Sequence, residues 1–327
     1  MKRRRLFIRL SLGLLGLIVV AVLALVLVPP PTWALASHPH PAASYAEATG
    51  RIAALQTAEA ATYNPLCATQ FLTHGQKTAR AIAFVHGYSN CPQMFAQLGQ
   101  QFHDLGYNVL IVPLPYHGLA DRLTDDLTHL SAEELAAYTD QVVDIERGLG
   151  DKVSLVGISG GGVVAGWAAQ TRTDLDQAVL IAPSFGIQPI PRPLTTLAVN
   201  STLLLPDAFM WWDPILEARL GPSYAYPRFS RHGLAQILRL SFAVRGLARR
   251  AAPGAAAILV VTNANDNAVD NTVTAQVLAD WRAHGSAATT YEYPVDLKLA
   301  HNLVDPGEPN QHIDLVYPKL VELINVP

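Results

Sequence analysis

Short runs of apolar and β-branched residues recur along the chain, at Ala81–Val85, Tyr107–Val112, Val153–Ile158, Ala178–Ala182, Ala257–Thr262 and Ala288–Tyr293. Between them lie longer stretches of helical composition. Cys91–Leu105 stops at Gly106; a second stretch opens on Ser131-Ala132-Glu133-Glu134 and runs to about Gly148. Others follow at Gly160 to about Thr171, Asn271–His284 and His312–Ile324. A serine followed three residues later by glutamate is a capping signature, and a glycine just past a periodic run is a stop signal. Strands alternating with helices of this length predict an α/β fold, a mostly parallel sheet with helices on both faces. The alternation breaks between Phe185 and about Ala252, where prolines are frequent and no clean strand is legible. Trp211, Trp212, Tyr224, Tyr226 and Phe229 make that segment too apolar for a disordered linker. It predicts short helices packed as an inserted lid.

Ahead of this core, Lys2, Arg3, Arg4, Arg5 and Arg9 precede an unbroken apolar run from Leu10 to Val28, closed by Pro29-Pro30-Pro31. The run is long enough to span a bilayer. No Lys or Arg follows until Arg51, so the positive-inside rule leaves the N-terminus in the cytoplasm and the rest outside. A membrane anchor is the leading expectation. Ala34-Leu35-Ala36 before Ser37 also has the small-x-small pattern of signal cleavage, which gives a secreted or periplasmic form instead. The chain divides into the anchor or signal (1–36), a linker and N-terminal helix (37–62), a first core part (63–185), the insertion (186–252) and a second core part (253–327).

Composition narrows the functional classes. A net charge of −3 offers no nucleic-acid surface. Two cysteines cannot build a thiolate metal cluster, and the eleven histidines include no His-Glu-x-x-His spacing. His38 and His40 stand alone in the linker. No metal is expected, and no Gly-x-Gly-x-x-Gly opens a first βα unit to hold a nicotinamide cofactor. Outside the cytoplasm, Cys67 and Cys91 have one possible intramolecular partner each, so a disulfide between them is expected over two unrelated buried thiols.

The chemistry centres on Gly157-Ile158-Ser159-Gly160-Gly161, between an apolar strand and a small-residue helix. Gly-x-Ser-x-Gly in that context is a nucleophile elbow. The turn raises a serine hydroxyl above the sheet, and Gly157 and Gly161 flank it where a Cβ would collide with strand and helix. A serine hydroxyl needs a base, itself oriented by an acid. Each should follow a strand at the sheet's carboxyl edge. Asp266, after Thr262, and His301, after the last strand, meet that condition. Rivals have structural readings: Asp270 as a helix cap, Asp296 on the wrong side of the last strand, His284 at a helix end, His312 at a helix start, and His86 and His117 as shapers of Gly-containing loops. The oxyanion donors are expected to be the amides of Gly160 and of Tyr88 in the loop His86-Gly87-Tyr88.

His86-Gly87-Tyr88, Pro115-Tyr116-His117-Gly118, the elbow, Asp266-Asn267-Ala268-Val269 and His301-Asn302 together resemble the α/β-hydrolases of the serine esterase and lysophospholipase type. The resemblance covers residues from about 67 onwards. It implies the order Ser159, Asp266, His301 for the triad and a lid between the strands ending at Ala182 and starting near Ala257. The expected function is hydrolysis of a small-molecule carboxylic ester through an acyl-enzyme on Ser159, with no cofactor. An apolar or lipid acyl group is favoured by the aromatic insertion. Acyl transfer, amide or peptide hydrolysis, and a non-catalytic membrane-tethered binding module are the alternatives.

Overall fold

The computed structural model describes residues 2–219 and 221–325, with side chains from Leu10 onward. Helix α1 (Lys2–Leu27) carries the apolar run, and α2 (Tyr45–Glu59) begins the folded domain behind an N-cap at Ser44. The core then follows the expected alternation. It runs β1 (Gln70–Leu72), β2 (Thr78–Val85), α3 (Ala96–Asp104), β3 (Asn108–Val112), α4 (Ala132–Leu149), β4 (Gly150–Ile158), α5 (Gly160–Thr171) and β5 (Gln177–Ile181). After the insertion it resumes with β8 (Ala257–Asn263), α8 (Asn271–Ala283), β9 (Thr289–Tyr293) and α9 (Ile313–Ile324). The insertion itself contains α6 (Thr195–Leu204), β6 (Phe209–Trp211), β7 (Arg228–Ser230) and α7 (Arg231–Ala248).

Seven strands form one sheet in the order β1-β3-β2-β4-β5-β8-β9, parallel except for β1 against β3. Side chains alternate across it, as the period of two demands. Ala81, Ala83 and Val85 face a core shared with α4, α5, α7 and α8, while Ile82 and Phe84 face α3 and α9. Register decides where chemistry can sit. Val85 pairs with Gly157, Ile158 with Ile181, Ile181 with Val261 and Asn263 with Tyr293. The carboxyl ends of these strands therefore share one rim, and the loops at 86–91, 159, 182–184, 264–266 and 294–301 all open on it.

Two elements differ from expectation for the same reason. Strand β1 and the hairpin β6–β7 are each built from three-residue strands, too short for periodicity to show. The second half of the insertion is not a set of short helices but the 18-residue α7, whose Ile237, Leu240, Ala243 and Val244 enter the main core beside α5. Cys91 opens a single 3₁₀ turn before α3 rather than the helix itself.

Cys67 and Cys91 form a disulfide, with 5.2 Å between their Cα atoms and 24 residues of separation. A loop of that length corresponds to about 3 kcal/mol in the chain-entropy model. The bridge ties the segment before β1 to the loop after β2, one residue beyond Asn90 on the functional rim.

Candidate active site

Ser159 occupies a backbone conformation that L-residues rarely adopt, φ 55° and ψ −114°, at the N-terminus of α5. The glycines around it explain how the turn closes. A Cβ on Gly157 would lie 2.0 Å from the Gly161 carbonyl oxygen, and one on Gly161 would lie 2.2 Å from that of Val85. Strand, turn and helix can approach this closely only with hydrogen at both positions.

Asp266 and His301 come from separate loops, after β8 and after β9, and meet. The His301 Nδ1 lies 2.7 Å from Asp266 Oδ2. The other carboxylate oxygen accepts the amides of Ala268 at 2.9 Å and Val269 at 3.0 Å. Burial pushes the Asp266 carboxyl upward, but the hydrogen bond and charge of His301 and the two amides outweigh it, so the group lies below the usual carboxylate range. A carboxylate held this way accepts the Nδ1 proton and leaves His301 Nε2 as the basic nitrogen.

Ser159 and His301 line one cavity of about 720 Å³. Among the hydrogen bonds of the described residues, however, the Ser159 hydroxyl pairs with Ser184 Oγ at 2.9 Å rather than with the imidazole. Ser184 also donates its amide to the Ser159 carbonyl at 3.0 Å. Sequence reasoning missed Ser184. The one available signal was its place just past Ala182 at a strand end on the shared rim.

The loop after β2 packs directly on this turn. The Tyr88 amide nitrogen lies 3.3 Å from where a Gly160 Cβ would stand, so the two amides are neighbours. No hydrogen bond among the described residues claims either amide. Two histidines brace the loop from behind. His86 Nε2 accepts the Leu114 amide at 2.9 Å, with Nδ1 against the Gly87 carbonyl; His117 Nε2 accepts the Ser89 amide at 3.0 Å, with Nδ1 against the Pro115 carbonyl. Both rings are fully buried. Burial drives His117 down to about 4 against the Pro115 hydrogen bond, and burial with the neighbouring His117 drives His86 well down too.

That has a consequence for acid stability. An unfolded imidazole titrates near 6.5. Between about 6.5 and 4 the unfolded chain binds a proton that folded His117 refuses, so stability is present above this window and is lost as pH falls through it. His117 alone removes about 2 kcal/mol between pH 7 and pH 5. Urea midpoints at the two pH values measure it: the wild type loses stability on acidification and His117→Gln loses less. An equal loss in both proteins would contradict the assignment.

The insertion is fastened to the same loop. Trp212 Nε1 donates to Ser89 Oγ, the Tyr226 amide donates to the Ser89 carbonyl, and the Tyr88 hydroxyl donates to the Ser230 carbonyl. Asp305 accepts from both Asn90 and Tyr224. The cavity wall is largely apolar, with Ile187, Pro189, Trp212, Leu234, Ile237 and Val269, and carries one carboxylate, Glu308, bonded by Asn302.

The rivals fall elsewhere. Asp270 caps α8 through the Thr272 amide, Asp296 sits in a 3₁₀ turn, His284 ends α8, and His312 precedes α9. His38 and His40 donate backbone amides to Asp140 and Asp144. Among the described residues no group of three or more His, Cys, Asp or Glu side chains is placed to hold a metal.

A strained serine turn between a parallel strand and its helix, on the rim where the Asp266 and His301 loops converge, is the arrangement of an α/β-hydrolase. The chain belongs to that class: the family described as serine aminopeptidase, S33, matches residues 76–293, two thirds of its length. Solved structures of the same fold include a metagenome-derived lipolytic enzyme of the LipS and LipT pair, with TM-score 0.60, 16% identity, and coverage of 80% of this chain and 98% of the other. The monoacylglycerol lipase of Paleococcus ferrophilus gives TM-score 0.60 at 17% identity over 78% and 97%. A soluble variant of the Saccharomyces cerevisiae monoglyceride lipase, with a substrate analogue, gives 0.55 at 14% over 79% and 91%. At these identities the likeness is one of fold. No curated protein matches the chain.

Proposed function

We propose that the protein is a serine hydrolase of carboxylic esters, held to a membrane by α1 with its catalytic domain on the non-cytoplasmic side. The observation that carries the reading is His301, bonded from behind by Asp266, sharing a cavity with Ser159 beside two amides that no hydrogen bond among the described residues claims. Ser159 Oγ attacks the acyl carbon while His301 Nε2 takes its proton. The Tyr88 and Gly160 amides hold the resulting oxyanion, each worth about 3 kcal/mol. The imidazolium, steadied by Asp266, gives its proton to the departing alkoxide. Water then repeats the sequence on the acyl-enzyme and frees the acid. Five basic residues ahead of the apolar run, and a disulfide that persists in oxidising compartments, support the location.

The apolar wall supports an acyl chain as the group bound there. A series of p-nitrophenyl esters tests this. Each methylene buried is worth roughly 0.8 kcal/mol, so kcat/KM should rise about tenfold per added pair of carbons up to medium length. A flat or falling series would remove the apolar acyl site.

One observation favours a second reading. Glu308, on the cavity wall, is a carboxylate that a substrate's terminal ammonium would pair with, which suits the peptidase description of the family. Amino-acid p-nitroanilides cleaved faster than the esters would establish it.

A further inference from the structure

The apolar span Leu10–Leu27 has no buried residue, and Leu25 and Val26 at its far end are partly covered. At 1.5 Å per residue it is about 27 Å long, close to the hydrocarbon thickness of a bilayer. Its far end does not hang free. Asn200, in the middle of α6, donates its side-chain amide to the Leu25 and Val28 carbonyls, which a helix end leaves without partners. The strap that follows is clamped as well. Arg239 donates to the Pro31 carbonyl, Ser37 and the His38 amide bond Asp140, and the His40 amide bonds Asp144. Arg172, fully buried, grips Asp140 and Asp144 from the other side. Anchor and insertion therefore have a fixed relative placement.

That placement puts α6 at the level where the span leaves the hydrocarbon. Leu204 lies one helical turn from Asn200 on the same helix face and is 72% exposed. Further along the segment Ile215 is 82% exposed, and Met210 and Leu216 are exposed too. Trp33, two residues past the last of the three prolines, is 87% exposed, at the depth where tryptophan is enriched in membrane proteins. Trp212 is both exposed and part of the cavity wall.

We propose that the α6 face of the insertion lies against the lipid bilayer that holds α1, so that the active-site mouth beside Trp212 opens at the lipid surface. The proposal rests on the membrane-anchored reading above. Its occupant is the lipid surface because Asn200 ties this face to the end of a helix that itself requires a bilayer, and Leu204 and Leu205, exposed beside that tie, are aliphatic. The anchor thus holds the cavity over its supply of ester as well as tethering the domain.

The test uses the full chain in proteoliposomes, with mass spectrometry confirming that α1 is retained. The native cysteines are bonded to each other, so Leu204→Cys or Ile215→Cys introduces the one reactive thiol, to be labelled with an environment-sensitive fluorophore. Expected is quenching by nitroxide lipids, protection from aqueous iodide, and independence of the protein-to-lipid ratio. Free access of iodide, or quenching that depends on protein density as it would against a second copy, overturns the proposal, and so does loss of α1 by cleavage. In parallel, Leu204→Asp should lower the rate on a bilayer-embedded ester about tenfold and leave p-nitrophenyl acetate hydrolysis unchanged. Equal rates on both substrates also overturn it. Absence of p-nitrophenyl acetate hydrolysis in the unmutated protein would instead defeat the hydrolase reading, while the fluorescence result would stand by itself.

Discussion

Ser159→Ala lowers ester hydrolysis by at least about 10⁴-fold while leaving the thermal midpoint close to that of the wild type. The magnitude follows from the unit character of such sites. Removing the nucleophile removes the covalent route, and what remains is the smaller effect of binding and the oxyanion amides. Stability should hold because Ser159 contributes to folding mainly through its backbone, with its amide on the Ile181 carbonyl and its carbonyl on the Val163 and Ser184 amides. Alanine keeps all three bonds. Initial rates on p-nitrophenyl butyrate and a melting curve check both halves. Ser184→Ala is the control: it deletes the resting partner of the Ser159 hydroxyl without deleting a nucleophile, so it should cost far less. A Ser159→Ala protein with wild-type rate would end the proposed chemistry.

The largest expected effect on stability lies away from the cavity. Arg172 is fully buried at the C-cap of α5 and bonds three carboxylates, Asp140 at 3.1 Å, Asp144 at 2.6 Å and Asp174 at 2.8 Å. Burial alone would lower the guanidinium, but the carboxylates outweigh it and hold it firmly charged. Such a network adds little over a well-packed apolar core, yet removing one partner strands the others. Arg172→Ala leaves Asp140 and Asp144 nearly buried without their cation and should cost about 3–5 kcal/mol. It should also loosen the strap whose amides those carboxylates accept. Urea unfolding measures the first effect, and limited proteolysis between Pro31 and Ala42 the second. A loss below 1 kcal/mol with an unchanged cleavage pattern would show that the network is not holding the strap.

These two residues mark the boundary of what the chain discloses. Ser159 was legible because its constraints are local: two glycines at fixed offsets, an apolar strand before and a small-residue helix after. Asp266 and His301 were legible as positions, each just past a strand, because a parallel sheet sends all its strand ends to one rim. The disulfide was legible by elimination among two cysteines. Arg172 was not, because two of its three partners, Asp140 and Asp144, lie some thirty residues away on α4 and nothing in their spacing marks a shared cation. Ser184 looks like any serine in a turn until β4 and β5 pair and bring it beside Ser159. Asn200 reads as a mid-helix polar residue until the end of α1 arrives above it. The hairpin β6–β7 stayed hidden because three residues carry no period, and α7 was broken up by the proline-rich company of its segment although it packs into the core.

The most direct measurement is mass spectrometry of the folded full-length protein after reaction with a fluorophosphonate. The account predicts one adduct per chain, on the peptide that carries Ser159, formed quickly by the native protein and not by His301→Ala. Label on Ser184 instead, or no adduct at all under conditions that modify other serine hydrolases, would contradict it.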